Sequence, residues 1–455
     1  MLIKLLRLVF IMNREILLHY ATLAVPRYTS YPTAADFVPV RDEMRIRFLQ
    51  GLESNQAVSL YLHIPYCNNI CHYCACFTKA VRRKDIIDIY GDIIEQDIRL
   101  QTSYFKEKPR VVHIHWGGGT PSVLSCKSFK KIIQVLHETF VFDTPMEHAI
   151  ELDPRAVRRE FVSCLAEIGV NRVSLGIQDT NPEVQKLVGR IQPVSDIARA
   201  IKNLREVGIE RINFDLIYGL PAQTQQSLRQ TCKIIADFQP ERIACYGYAH
   251  LPKKRANQKL IDVSLLPDAF ERLKQIEVVT DSFCKFGYEA IGIDHFARSD
   301  DSIAIAMHEK KLRRNFQGYT NDESQVVIGF GASSISQFSQ GYVQTISDIA
   351  HYKKAIVVGQ LATVRGISIN DDDKMRAMLI CDLMCEFKVD LSRYGGKTPF
   401  AMELEKLKPI IADGIAHEDN GVISITKAGR PFVRVVAALF DIYRHHNTTQ
   451  FSTAV

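Results

Sequence analysis

No stretch of about 18 or more uncharged apolar residues occurs in this 455-residue chain, so no segment is long enough to span a bilayer as a helix. An export signal is not expected either. The first twelve residues mix apolar side chains with Lys4 and Arg7, and only Leu8 to Met12 stay apolar before Asn13, Arg14 and Glu15. That run falls short of a signal core of about 7–15 residues. A short basic amphipathic surface helix, or a true start at Met12, are the readings of this stretch. Internal repeats and low-complexity linkers are missing. So is a strong charge of either sign: the formal net charge is +6 and the pI about 8.6, whereas a nucleic-acid binder shows a clustered basic stripe and a pI above about 9. Eleven cysteines in a chain of this length are too sparse for the disulfide framework of a small secreted domain. A reducing, cytoplasmic setting is the expectation, with no nucleic-acid partner.

From residue 58 to residue 248, short β-rich runs alternate with longer amphipathic segments, the signature of βα units on a parallel sheet. Six strands are expected: Val58 to Ile64, Val111 to Trp116, His148 to Leu152, Arg172 to Ile177, Arg211 to Ile217 and Arg242 to Tyr248. Ile87, Tyr90, Ile94 and Ile98 recur at helical spacing, as do Ile197, Ile201 and Leu204 ahead of the helix stop Gly208. The fold class is therefore α/β, a partial (β/α)6 TIM-like barrel over residues 51–370. An N-terminal arm, 1–50, precedes it; its segment Pro26 to Thr33 is too polar and proline-rich for a helix. A smaller, mainly helical C-terminal domain, 371–455, follows, with a short hairpin expected between Asn420 and Thr426. Cysteine, glycine and acidic residues gather just past the strands, at the face where parallel barrels form active sites.

The strongest local signal is Cys67, Cys71, Cys74 and Cys76, a C-x3-C-x2-C-x-C pattern directly after the first strand. Soft thiolates at this spacing suit an iron-sulfur cluster. A zinc site is disfavoured, because no second cysteine pair stands at zinc-ribbon distance. The other seven, Cys126, Cys164, Cys232, Cys245, Cys284, Cys381 and Cys385, are read as buried packing. Cys381 and Cys385, four residues apart, can share a helix face.

The cysteine spacing, with Tyr73 before the third cysteine, resembles the radical S-adenosylmethionine superfamily. The resemblance extends over nearly the whole chain, from Pro26 to Ser452. Its specific pieces are the arm Pro26 to Ala34, the fourth cysteine, and the runs His115 to Pro121, Val173 to Asp179, Asp215 to Pro221, Tyr248 to Pro252, Gly292 to Arg298 and Arg314 to Thr320. Together they resemble the oxygen-independent coproporphyrinogen III oxidase (dehydrogenase) family of bacterial haem synthesis.

That resemblance implies a [4Fe-4S] cluster on Cys67, Cys71 and Cys74, and two molecules of S-adenosylmethionine. Tyr61, Gly118, Glu151 and Ile335 are expected at the cofactor on the cluster. Tyr73, Gly119, Thr120, Gln178, Arg190, Asp215 and Ala249 are expected at the second. Cys76 belongs to the motif without ligating iron. The implied activity is oxidative decarboxylation of two propionates of coproporphyrinogen III to vinyl groups, through a 5′-deoxyadenosyl radical, giving protoporphyrinogen IX. The four substrate carboxylates need cationic or hydrogen-bonding partners, and Arg27, Tyr28 and Tyr31 on the arm are candidates. The family further implies a flavodoxin- or ferredoxin-type electron donor and a monomer. The rival readings are a paralogous haem chaperone, which lacks the arm and the fourth cysteine, a radical methyltransferase or haem-degrading enzyme, and a non-catalytic iron-sulfur or zinc protein.

Overall fold

A computed structural model describes residues 13–316, 318–446 and 451–455. The first twelve residues, where a surface helix or a later start was anticipated, lie outside this range. All six anticipated strands form, as β1 (Ala57–Ile64), β2 (Arg110–Gly118), β3 (Val141–Leu152), β4 (Arg172–Gln178), β5 (Arg211–Tyr218) and β6 (Arg242–Gly247). Each pairs in parallel with the next. The longer helices between them are α1 (Lys84–Thr102), α2 (Cys126–Thr139), α3 (Arg159–Glu167), α4 (Val194–Glu206) and α5 (Gln225–Asp237), and α6 (Ala269–Lys285) follows β6. Ile87, Tyr90, Ile94 and Ile98 are all buried on one face of α1. Gly208 takes φ +83 just past α4, a left-handed backbone that glycine adopts at little cost.

The sheet is larger than six strands. A further parallel strand, β7 (Val326–Phe330), joins the free edge of β1. Antiparallel strands then continue through Ile335–Phe338, Gly341–Thr345, Thr363–Ser368 and the short edge strand Val38–Pro39, and beyond β6 through His295–Ala297 and Glu289–Ile291, to thirteen strands in all. Antiparallel neighbours need no crossover helix. They therefore carry no βα alternation to betray them in the sequence.

Period-two alternation divides the barrel strands into two faces. On β4, Val173, Leu175 and Ile177 are buried against the helices, while Arg172, Ser174, Gly176 and Gln178 face an internal cavity. On β5, Ile212, Phe214 and Leu216 do the former, and Asn213, Asp215 and Ile217 the latter. The hydrophobic core thus lies between sheet and helices, and the lumen is left polar.

The arm is extended through Pro26 to Thr33, as expected, between helices Arg14–Thr22 and Asp42–Gln50. C-terminally, α7 (Asp371–Glu386) opens on a capping box formed by Asn370 and Asp373. The anticipated hairpin exists, beginning earlier, with strands Ala416–Asp419 and Val422–Ile425 joined at Asn420-Gly421, both at positive φ. A third strand, Lys388–Asp390, pairs alongside.

The uniform packing role read for the remaining cysteines needs correction. Cys126 and Cys164 form a disulfide with a Cα–Cα distance of 6.0 Å, because the crossover through β3 brings the start of α2 beside α3. Cys284 is exposed, whereas Cys232 and Cys245 are buried. Cys381 and Cys385 share a face of α7, with their sulfurs 3.8 Å apart.

Candidate active site

At the C-terminal ends of the strands lies a cavity of about 1330 Å³. The loop after β1 enters it. Tyr66–Cys67 forms a short parallel ladder with Lys79–Ala80, which pins the first cysteine. The Cys67 thiol lies 3.3 Å from the hydroxyls of both Thr120 and Thr78. Cys71 is buried, 3.5 Å from the Arg190 guanidinium. A hydrogen bond with Cys76 is the main influence that lowers the Cys74 thiol to about 7, against the effect of its burial.

The outer side of the loop is clamped by residues that no sequence pattern marks. The Asn257 amide Nδ2 donates to the carbonyls of Cys71, His72 and Cys74 at 3.0, 3.1 and 2.9 Å. Gln258 donates to Tyr73 O at 2.7 Å and Ala249 O at 3.1 Å. Two adjacent amides thus fix the carbonyls of Cys71 through Cys74.

The glycine run after β2 is a close approach rather than a mere turn. Gly118 sits at φ +111, and a Cβ there would come within 2.7 Å of the His63 ring. At Gly119 a Cβ would lie 2.5 Å from the Tyr66 carbonyl. Only glycine lets this loop rest on the cysteine loop.

Polar side chains from β2 to β5 complete the wall. His115 Nε2 lies 2.9 Å from the Glu151 carboxylate. Asp215 accepts hydrogen bonds from Ser174 at 2.6 Å and Asn213 at 2.8 Å. Burial, helped by the nearby Glu151 charge, still pushes the Asp215 carboxyl up to about 6. Arg190 reaches Asp153 at 3.1 Å and Gly176 O at 2.7 Å, leaving its buried Nε without a partner. Gln178 holds φ +68 at the end of β4, an uncommon backbone for a non-glycine residue.

The sequence-derived residues Cys67, Cys71, Cys74, Cys76, Tyr73, Gly118, Gly119, Thr120, Glu151, Gln178, Arg190, Asp215, Ala249 and Arg27 all line this cavity. Four others do not. Tyr61 lies on β1 with its hydroxyl 3.0 Å from His63 Nδ1 and its ring 4.7 Å from Phe316. Ile335 and Tyr28 line a smaller cavity of about 250 Å³, which shares Arg27 and Phe451 with the main one. Tyr28 and Tyr31 are turned toward the C-terminal segment. The Tyr28 hydroxyl donates to Asp441 at 3.0 Å, and that of Tyr31 accepts from Ile442 N at 3.3 Å. Their phenols join the arm to that segment.

The donor set fits a [4Fe-4S] cluster: three unbridged thiols on one backbone-clamped loop, facing a cavity, with a buried guanidinium beside Cys71. In the present side-chain arrangement, no three His, Cys, Asp or Glu groups among the described residues converge as a ready metal site. The thiols share a wall without yet forming a ligand triangle.

Residues 61–235 match the radical SAM superfamily. The chain is 40% identical to the oxygen-independent coproporphyrinogen III oxidase of Bradyrhizobium diazoefficiens, over 98% of this chain and 100% of that protein. It is 37% identical to the enzyme of the same name from Salmonella typhimurium, over 94% of this chain and 96% of the relative. The solved structure of coproporphyrinogen III oxidase from Escherichia coli, a radical SAM enzyme, superposes with a TM-score of 0.87 at 35% identity, covering 92% of this chain and 97% of the other. With relatives this similar along its whole length, and a cysteine loop seated on the cavity at the strand ends, the chain belongs to the oxygen-independent coproporphyrinogen III oxidase family of radical SAM enzymes.

Proposed function

We propose that this chain oxidatively decarboxylates two propionate side chains of coproporphyrinogen III, giving protoporphyrinogen IX for haem synthesis. The observation that carries this reading is the placement of the cysteine loop and Arg27 on the wall of one cavity of about 1330 Å³. That exceeds the usual small-molecule pocket of about 300–1,000 Å³ and leaves room for cofactors and a tetrapyrrole together.

Cys67, Cys71 and Cys74 would hold the cluster, which when bound would supply the electron for reductive cleavage of S-adenosylmethionine. Gly118 and Glu151, on the cavity wall, serve the cofactor at the cluster, with Tyr61 stacked on His115 behind Glu151 and Ile335 in the adjoining smaller cavity; Glu151, oriented by His115, offers a carboxylate oxygen to cofactor hydroxyl or amino groups. Tyr73, Gly119, Thr120, Gln178, Arg190, Asp215 and Ala249 serve the second cofactor. Arg190 binds a carboxylate there while held by Asp153 and Gly176. In the net reaction each propionate loses a hydrogen atom from the carbon next to the pyrrole ring. The bond to its carboxylate then breaks, releasing carbon dioxide, and one electron passes to an external acceptor. Cys76 acts beside Cys74 without ligating iron. The arm supplies Arg27 to the substrate, and Tyr28 and Tyr31 support it from behind.

A small flavodoxin- or ferredoxin-type protein delivers the reducing electron. Exposed Arg82, Arg83 and Lys84, next to the cysteine loop, suit an acidic donor. The protein works in the cytoplasm as a monomer. No helix among the described residues is long and apolar enough to cross a membrane.

The test is anaerobic turnover of coproporphyrinogen III with S-adenosylmethionine and a strong reductant, read by mass spectrometry. Protoporphyrinogen IX should form, and Cys71→Ser should abolish it. Deoxyadenosine released with no decarboxylated porphyrin would transfer the chemistry to another substrate.

A further inference from the structure

Four arginines gather behind one side of the main cavity. Arg27 lines it and donates from Nη2 to Gly247 O at 2.9 Å. Arg272 approaches the same residue, for a Cβ on Gly247 would stand 3.0 Å from its Nη2, and its Nη1 donates to Tyr248 O at 2.8 Å. Arg314 donates from Nε to Arg27 O at 3.3 Å. Arg434 donates to Val25 O at 3.3 Å, two residues before Arg27, and to Thr453 O at 2.8 Å.

Their bonds are mostly to neutral carbonyls. Among the described residues the one carboxylate at ion-pair distance from this set is Asp294, 3.6 Å from Arg314. His295 already shares it at 2.7 Å. Arg272 Nε, Arg314 Nη1 and Arg434 Nε are buried without a hydrogen-bond partner, although Arg272 and Arg314 lie over the Tyr218 and Tyr319 rings, 5.6 and 4.4 Å from their centroids. Burial, with Arg27 adding its repulsion, drives the Arg434 guanidinium down to about 10. Buried charge without a counterion is costly, and a protein offsets that cost with a paired anion.

We infer that Arg27, backed by Arg272, Arg314 and Arg434, seats a carboxylate of the tetrapyrrole substrate. Arg27 makes the contact. The other three are positioning residues, and the incoming anion balances the positive charge that Asp294 leaves over. The inference rests on the proposed substrate and says where that substrate is held.

The reconstituted holoenzyme is titrated anaerobically with coproporphyrin III, the stable oxidised form of the substrate, and with its uncharged tetramethyl ester, by fluorescence quenching. The acid should bind more tightly than the ester. Arg27→Gln and Arg272→Met should each weaken binding of the acid by more than about tenfold. Arg27→Lys and Arg272→Lys, which keep the charge but lose the guanidinium fork, should weaken binding less than Arg27→Gln and Arg272→Met do; a folding defect would strike both replacements alike. Equal binding of acid and ester, or unchanged affinity in Arg27→Gln and Arg272→Met, would overturn the seat. If wild type converts coproporphyrinogen III and those two variants convert it with the same KM, the seat falls and the proposed reaction stands. A wild-type enzyme that neither binds nor converts it removes both.

Discussion

The two ends of the barrel lumen are both lined with charge, yet they treat it in opposite ways. At the floor, where the strands begin, Arg172 meets Glu147 at 2.9 Å and Asp301 at 3.3 Å, and Arg242 meets Asp301 at 2.7 Å. Burial alone would raise the Glu147 carboxyl, but the arginine charges outweigh it and hold it at about 2. Every charge there has its counterion. At the mouth, burial pushes Asp215 up to about 6 and Arg190 keeps an unpartnered Nε, while behind the wall Arg434 is pushed down to about 10. A closed network holds the barrel together, while an incomplete one leaves valences for ligands. Burial of a charged group is thus no guide to its role until its partners are counted.

Breaking the floor should give the largest effect on stability. Asp301→Ala leaves two buried guanidiniums short of a counterion and should cost about 3–5 kcal/mol in urea denaturation. A loss below about 1 kcal/mol would mean that the floor is not closed. Asn257→Ala touches the mouth alone. Freeing the carbonyls behind the cysteines should weaken cluster retention about 10–100-fold in chelator competition, the scale of lost outer-shell support, with the melting temperature of the cluster-free protein nearly unchanged.

Asp215→Asn sharpens the contrast with the smallest effect. Its folded pKa, about 6, stands above the reference 3.8, so the folded state binds this proton more tightly than the unfolded chain does. Stability from this group is therefore fully present below pH 3.8 and is lost as pH rises through about 6. The Asn variant should be more stable than wild type by about 1–2 kcal/mol at pH 8 and show no gain at pH 4. Thermal melts at the two pH values decide it. Glu147, with its pKa depressed, has the opposite sign: its contribution is present above pH 4.5 and fades as pH falls through about 2.

How much of this was legible beforehand follows from the range of each interaction. The six parallel strands and the faces of α1 and α4 were readable because periodicity is local. The cysteine motif and Gly117 to Gly119 announce themselves within a few residues. By contrast, Asn257 meets Cys71 from 186 positions away, and neither amide nor segment carries a pattern. The arginines behind the cavity come from the arm, from α6, from the strand Arg313–Asn315 and from Arg434 near the C-terminus. Only folding brings them together. The hydroxyls of Tyr28 and Tyr31 suit a substrate carboxylate by their chemistry, and no pattern in the sequence signals that Asp441 and Ile442 engage them.

The most direct measurement is the stoichiometry of the reconstituted enzyme: 5′-deoxyadenosine and protoporphyrinogen IX quantified together from coproporphyrinogen III under anaerobic conditions. Two deoxyadenosines are expected per protoporphyrinogen, one for each propionate. Deoxyadenosine formed from a loaded cluster with both propionates intact would contradict it.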